Sequence, residues 1–186
     1  MRRITATLSV KSIQDAQRQL RAYKKELTKK CERFVSALAD KGIVVARESM
    51  GSSGYAKYIL FEKEIDPVQY GARAILAASN TGLIRSQWRT LNTAGGIATA
   101  DISPILMAEF GAGVRHDKNP KAHKMGMGAG TFPGQMHAFD EDGWWYLDMD
   151  WEWHHVDGVE PTMPMYHAAE EMERQLLTTA KEVFGL

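Results

Sequence analysis

The chain has 186 residues, is 44% hydrophobic, and balances 23 basic against 23 acidic side chains. That length can bury a real core, while zero net charge argues against a general nucleic-acid binder, which carries a basic excess. The lone cysteine, Cys31, excludes an internal disulfide and suits a reducing cytoplasm; no apolar run could span a bilayer, and no secretory signal is expected.

Ile4, Ala6, Leu8 and Val10 alternate with polar residues, which predicts a half-buried opening strand. Ser12 with Asp15 three residues on is a capping-box signature for the helix that follows. From Ile13 to Leu38 apolar residues recur at three- and four-residue steps, the period of a long amphipathic helix in which Cys31 is expected to be buried. Its outer face carries Lys24, Lys25, Lys29, Lys30 and Arg33, read either as solvated or as contacting an acidic neighbour. Gly42 is expected to interrupt this helix, with a second helical piece over 43–49. Residues 55–65 and 69–79 are rich in strand formers and predict a hairpin turning at Asp66-Pro67. A third strand is expected over 83–91, then a loop at Gly95-Gly96. Ser103-Pro104 opens a short helix and Gly111 closes it.

Residues 114–142 have no period and contain four glycines spaced through 126–134, two prolines and three histidines. A structureless stretch of that length in a compact domain is usually functional or ordered by a partner. Strand character resumes over 144–153, apolar on both faces. A last helix is expected from about Pro164, with Met165, Ala168, Ala169, Met172, Leu176, Ala180 and Val183 as its apolar stripe. This order predicts one α+β domain over 1–186. A mostly antiparallel sheet has the two long helices on one side, and an irregular excursion covers about 114–143.

Asp148, Asp150, Glu152 and His154 would share one face if 148–154 were a strand, presenting three acids and an imidazole to a metal. A polar outer face is the favoured reading of them, since no paired-cysteine or His-Glu-x-x-His spacing is present. Gly126-Met127-Gly128-Ala129-Gly130 lacks the lysine and hydroxyl ending of a phosphate loop. Arg115, His116, Lys118, Lys121, His123 and Lys124 form a basic patch without aromatics for base stacking, so nucleic acid is not the expected partner. Neither a nucleophile elbow nor a cysteine–histidine pairing stands out. Trp144, Trp145, Trp151 and Trp153 fall within ten positions, and such a cluster is either core or an interface anchor.

Four marks, in order, carry a resemblance. A short strand leads through Ser12-Ile13-x-x-Ala16 into a lysine-rich helix. Gly71-Ala72-Arg73-Ala74-Ile75-Leu76-Ala77-Ala78-Ser79 follows, then Glu109-Phe110-Gly111-Ala112-Gly113. Last is Gly158-x-x-Pro161-x-x-Pro164-Met165 running into a final helix. In these the chain resembles the tail-completion and head–tail joining family of long-tailed, non-contractile bacteriophages and prophages. The resemblance implies a non-enzymatic virion protein, made in the host cytoplasm and placed in the tail or neck. It would act as a ring-forming adaptor, six-fold in keeping with tails, touching itself and other tail or connector proteins.

No cofactor or catalytic residue is implied. Glu109, Gly111, Gly113, Pro161 and Pro164 would be structural. Phe110, the four tryptophans, Arg115, Lys118 and Lys121 are the interface candidates. The stretches 80–103 and 114–143 are longer than the family pattern leads one to expect. The rival reading is a metal-dependent hydrolase using 148–154.

Overall fold

A computed structural model of the chain describes residues 9–69, 71–89, 96–113, 144–147 and 150–185. Helix α1 runs unbroken over Val10–Met50, 41 residues, or roughly 60 Å at 1.5 Å per residue. Ser9 caps it: its backbone is extended and its hydroxyl accepts from the Ser12 N–H at 3.2 Å. Ser12 is therefore inside the helix, not its cap, and Val10 is helical rather than the end of a strand. The rest of the expected opening strand lies outside the described residues.

Gly42 does not interrupt α1. It is buried where the helix passes closest to its neighbours, and a Cβ there would stand 3.1 Å from Leu76 Cδ2 and from Met172 Cγ and Sδ. Glycine is unfavourable in a helix interior by up to about 1 kcal/mol; here the missing side chain lets two other elements approach the backbone. Gly42→Leu, although a better helix former, should therefore lower the unfolding free energy by about 1–3 kcal/mol through overpacking. Urea titration checks this, and a variant as stable as the parent would show that the gap is not needed.

After a short 3-10 turn, Ala56–Tyr58, strands β1 (Ile59–Val68) and β2 (Gly71–Asn80) form an antiparallel hairpin. The strand thus begins four residues later than expected. Val68 pairs with Gly71, so Asp66-Pro67 lies within β1 and not in a turn. Proline is tolerated there because the ribbon has only two strands, so a missing N–H need not break a ladder on its outer edge. Asp66 also pairs across to Arg73 at 2.6 Å. Alternate residues face α1: Ile59 and Phe61 are buried, and Lys63 reaches Ser36 Oγ at 2.7 Å and Asp40 Oδ2 at 2.6 Å.

Strand β3 (Ile84–Arg89) matches expectation in its described part, and β4 (Ile97–Ile102), which pairs with it, was not anticipated. Helix α2 (Pro104–Phe110) leads into the two-residue strand β5 (Ala112–Gly113). Strands β6 (Trp144–Leu147), β7 (Trp153–Val156) and β8 (Gly158–Val159) precede helix α3 (Pro164–Phe184).

The fold is α+β with antiparallel pairing throughout the described strands. The expected single sheet is three: β1-β2, β4-β3-β6-β7 and β5-β8. The chain bends between Asn80 and Ile84, and β3 then takes its partners from β4 and β6 instead of β2. Helices α1 and α3 pack together, with α1 across β1 and β2.

The core joins Ala46 and Met50 of α1, Ile59 and Phe61 of β1, Ala108 of α2 and Ala168 of α3. Its alanines allow close helix approach. The expected stripe on α3 holds at Ala168, which is buried, and at Met165, which packs on the core, but Leu176 is exposed and Thr179, outside the stripe, is fully buried. Lys41 explains this, because its Nζ donates to Thr179 Oγ1 at 2.8 Å and Gln175 Oε1 at 3.2 Å. No helix among the described residues is long and apolar enough to cross a membrane.

Candidate functional site

The two motif segments meet. Ser103 caps α2, with Pro104 in its first turn and Asn80 bracketing the start: its amide donates to Ser103 Oγ at 2.8 Å and its carbonyl oxygen accepts from the Ile105 N–H at 3.0 Å. One turn later Glu109 is 7% exposed. Its carboxylate spans the start of α3: Oε2 accepts from the Met165 N–H at 2.8 Å and Oε1 from the Tyr166 N–H at 3.1 Å.

The local sequence explains why α3 needs this. The residue before it, Met163, has a left-handed backbone (φ 50) and no side-chain cap, and Pro164 has no N–H to satisfy. The open donors are those of Met165 and Tyr166, at the positive end of the helix dipole. A carboxylate supplied from α2 answers both. The Ala108 carbonyl accepts from the N–H groups of Thr162 (2.8 Å) and Met163 (2.9 Å). Beyond it, Ala112 pairs with Val159 and Gly113 with Gly158.

Gly111 joins the two halves of this lock with φ 73 and ψ −169, a region open essentially to glycine alone. Pro161 and Pro164, in and just after the segment that meets it, are buried. The five residues given a structural role thus lie on one lock, and Phe110 within it is half-buried.

The tryptophans are arranged differently from expectation. Residues 144–153 are not one strand: β6 and β7 fold back as a ladder with Trp145 opposite His155 and Leu147 opposite Trp153. Paired residues share a face, so Trp145, Trp153 and His155 lie on one side. The Trp145 and His155 rings stand 4.9 Å apart at 58°, yet Trp145 is 61% and Trp153 52% exposed. In the backbone ladder Trp144 pairs with Val156. Trp151, 61% exposed, occupies the connection with φ 66, a conformation that bulky side chains rarely take.

The fold-back also dissolves the single face expected for Asp148, Asp150, Glu152 and His154. Asp150 and Glu152 sit in the connection and His154 on β7, while Asp148 lies outside the described residues. Among the described residues no three His, Cys, Asp or Glu side chains are grouped to hold a metal. Arg115, Lys118, Lys121, the rest of the basic patch and the 126–130 glycines also lie outside the described residues.

Beside these contacts from Glu109 and Lys41, α3 carries local ones. Arg174 forks onto Glu171 at 2.6–2.8 Å, which, with a further hydrogen bond from Gln175, holds the Glu171 carboxyl below its ordinary value. The Tyr166 hydroxyl donates to Glu170 at 2.8 Å, and that bond raises the phenol's pKa. Sequence reasoning missed Lys41, Asn80 and Thr179. Each is a polar residue paired with a partner distant in the chain, for which no local pattern exists. Cys31, expected to be buried, is half-exposed.

Compared with protein-family models, curated proteins and solved structures, the chain matches none.

Proposed function

We propose that this chain is a non-enzymatic structural subunit of a long-tailed bacteriophage or prophage, acting in tail completion or head–tail joining as a ring-forming adaptor. The observation that carries the reading is the lock. The Glu109–Gly113 and Gly158–Met165 motifs, which supply the resemblance, meet through the Glu109 carboxylate and the β5–β8 pair. Their side chains and backbone serve the fold, as a scaffold protein's most distinctive residues would. Exposed aromatic residues on the β6–β7 ladder supply contact surface of the kind that anchors protein interfaces.

The test is quantitative mass spectrometry of purified particles and tails from the producing prophage, calibrated against the tail-tube protein. The expected result is a few copies per particle, in a multiple consistent with one ring. Absence from finished particles would remove the reading.

A further inference from the structure

The first turns of α1 form an arm with an uncovered apolar seam. Val10, Ile13, Leu20, Tyr23 and Leu27 recur at helical spacing and are 40–74% exposed. Near the seam's inner end, Leu20, Tyr23, Leu27 and Cys31 line a cleft of about 450 Å³ that Gln69 and Gly71 border at the β1–β2 turn.

Charge indicates what covers the seam. Residues 10–33 carry eight lysines and arginines against three acids, whereas residues 144–160, which include the β6–β7 ladder, carry five acids and no lysine or arginine. Two arms laid together would bring like charges face to face, which disfavours a two-fold arm-to-arm contact. The complement is on the other part of the same chain. There Trp151 and Trp153 are exposed and adjoin in sequence the exposed Asp150 and Glu152, while the exposed Asp157, which pairs with His155 at 3.1 Å, follows the other end of β7. Trp151 is held in its left-handed conformation at the ladder's tip, and such strain clusters at functional positions.

We infer that the arm docks on a second copy of this chain. The seam at Leu20, Tyr23 and Leu27 receives Trp151 and Trp153 at the tip of the neighbour's β6–β7 ladder, and Lys24, Lys25 and Lys29 face its carboxylates. An apolar anchor within a rim of opposite charge fixes both affinity and orientation. Because different surfaces of the two copies meet, the contact is head-to-tail and propagates until it closes into a ring. The inference rests on the tail-junction reading for its biological setting, but its test does not.

The experiment is sedimentation velocity on the purified full chain, over a concentration series at low and high sodium chloride. Self-association should weaken as salt screens the rims. Lys24→Glu/Lys25→Glu/Lys29→Glu should weaken it roughly tenfold or more, and so should Asp150→Lys/Glu152→Lys/Asp157→Lys. Circular dichroism would verify that both variants are folded. Mixing them should restore association, since each then offers the other a complementary arm or ladder. A parent that stays monomeric throughout at low salt, or a mixture that stays apart, would overturn the inference. If the parent is monomeric and the arm variant alone is lost from particles, the occupant is another virion protein and not a second copy. Copy number in particles tests the tail reading separately: a monomeric chain present in particles sinks only the docking contact. Charge-dependent association of a chain absent from particles sinks only the tail reading.

Discussion

Glu109→Ala should lower the unfolding free energy by about 3–5 kcal/mol, as large an effect as any single substitution here. Two backbone N–H groups at the start of α3 lose a charged acceptor, and each such bond is worth roughly 1.5–3 kcal/mol. The helix also loses a negative charge at its positive end. No substitute is at hand, because the residue before α3 is a left-handed methionine without a capping side chain. Against a typical total stability of roughly 5–15 kcal/mol this is a large share.

Glu109→Gln separates the contributions. An amide retains one acceptor oxygen and turns a donor toward the other N–H, so roughly half of the loss is expected. Urea titration gives the magnitudes. Hydrogen exchange at the Met165 and Tyr166 amides gives the location, and faster exchange should be concentrated there. A loss below about 1 kcal/mol for the alanine variant would mean that solvent caps α3 just as well.

Phe61→Ala should come next, at about 3–5 kcal/mol, because Phe61 is 5% exposed and lies at the centre of the core. Three of the five buried residues that share its cluster are alanines, Ala46, Ala108 and Ala168, which have little side chain with which to fill a cavity. Trp153→Ala is the informative contrast. Tryptophan is larger than phenylalanine, but Trp153 is half exposed, so its removal should change monomer stability by no more than about 0.5 kcal/mol. Its effect should instead fall on association. Comparable destabilisation by the two variants would mean that the β6–β7 ladder is part of the core and not a contact surface.

The sequence announced elements wherever a local rule sufficed. Ser103 as cap, Pro104 in the first turn and Gly111 beyond the end bounded α2 correctly. The helical period from Ile13 and the stripe after Pro164 located the two long helices, because periodicity reports one buried face whatever covers it. Composition and element order sufficed for the α+β class. That the Glu-Phe-Gly segment meets the Pro-x-x-Pro segment was not legible, although both were singled out as marks of the family resemblance. Their contact depends on a carboxylate crossing from α2 to α3 over 56 positions of sequence.

Tertiary structure decided the rest, and in each case a non-local partner overrode a local signal. Gly42 reads as a helix breaker, but β2 and α3 pack so closely on it that the helix continues. Thr179 lies outside the apolar stripe read for the last helix, but Lys41 receives it inside. Asp66-Pro67 reads as a turn, but the hairpin register carries the strand past it to Val68. The tryptophan run reads as one strand, but a left-handed Trp151 folds it into two and sets Trp145 beside His155. The physical reason is common to all four: a sequence window reports the preference of its own backbone, of order 1 kcal/mol per residue at most short of proline. Packing, capping and strand pairing with distant segments each contribute as much or more, and they are set only once those segments meet.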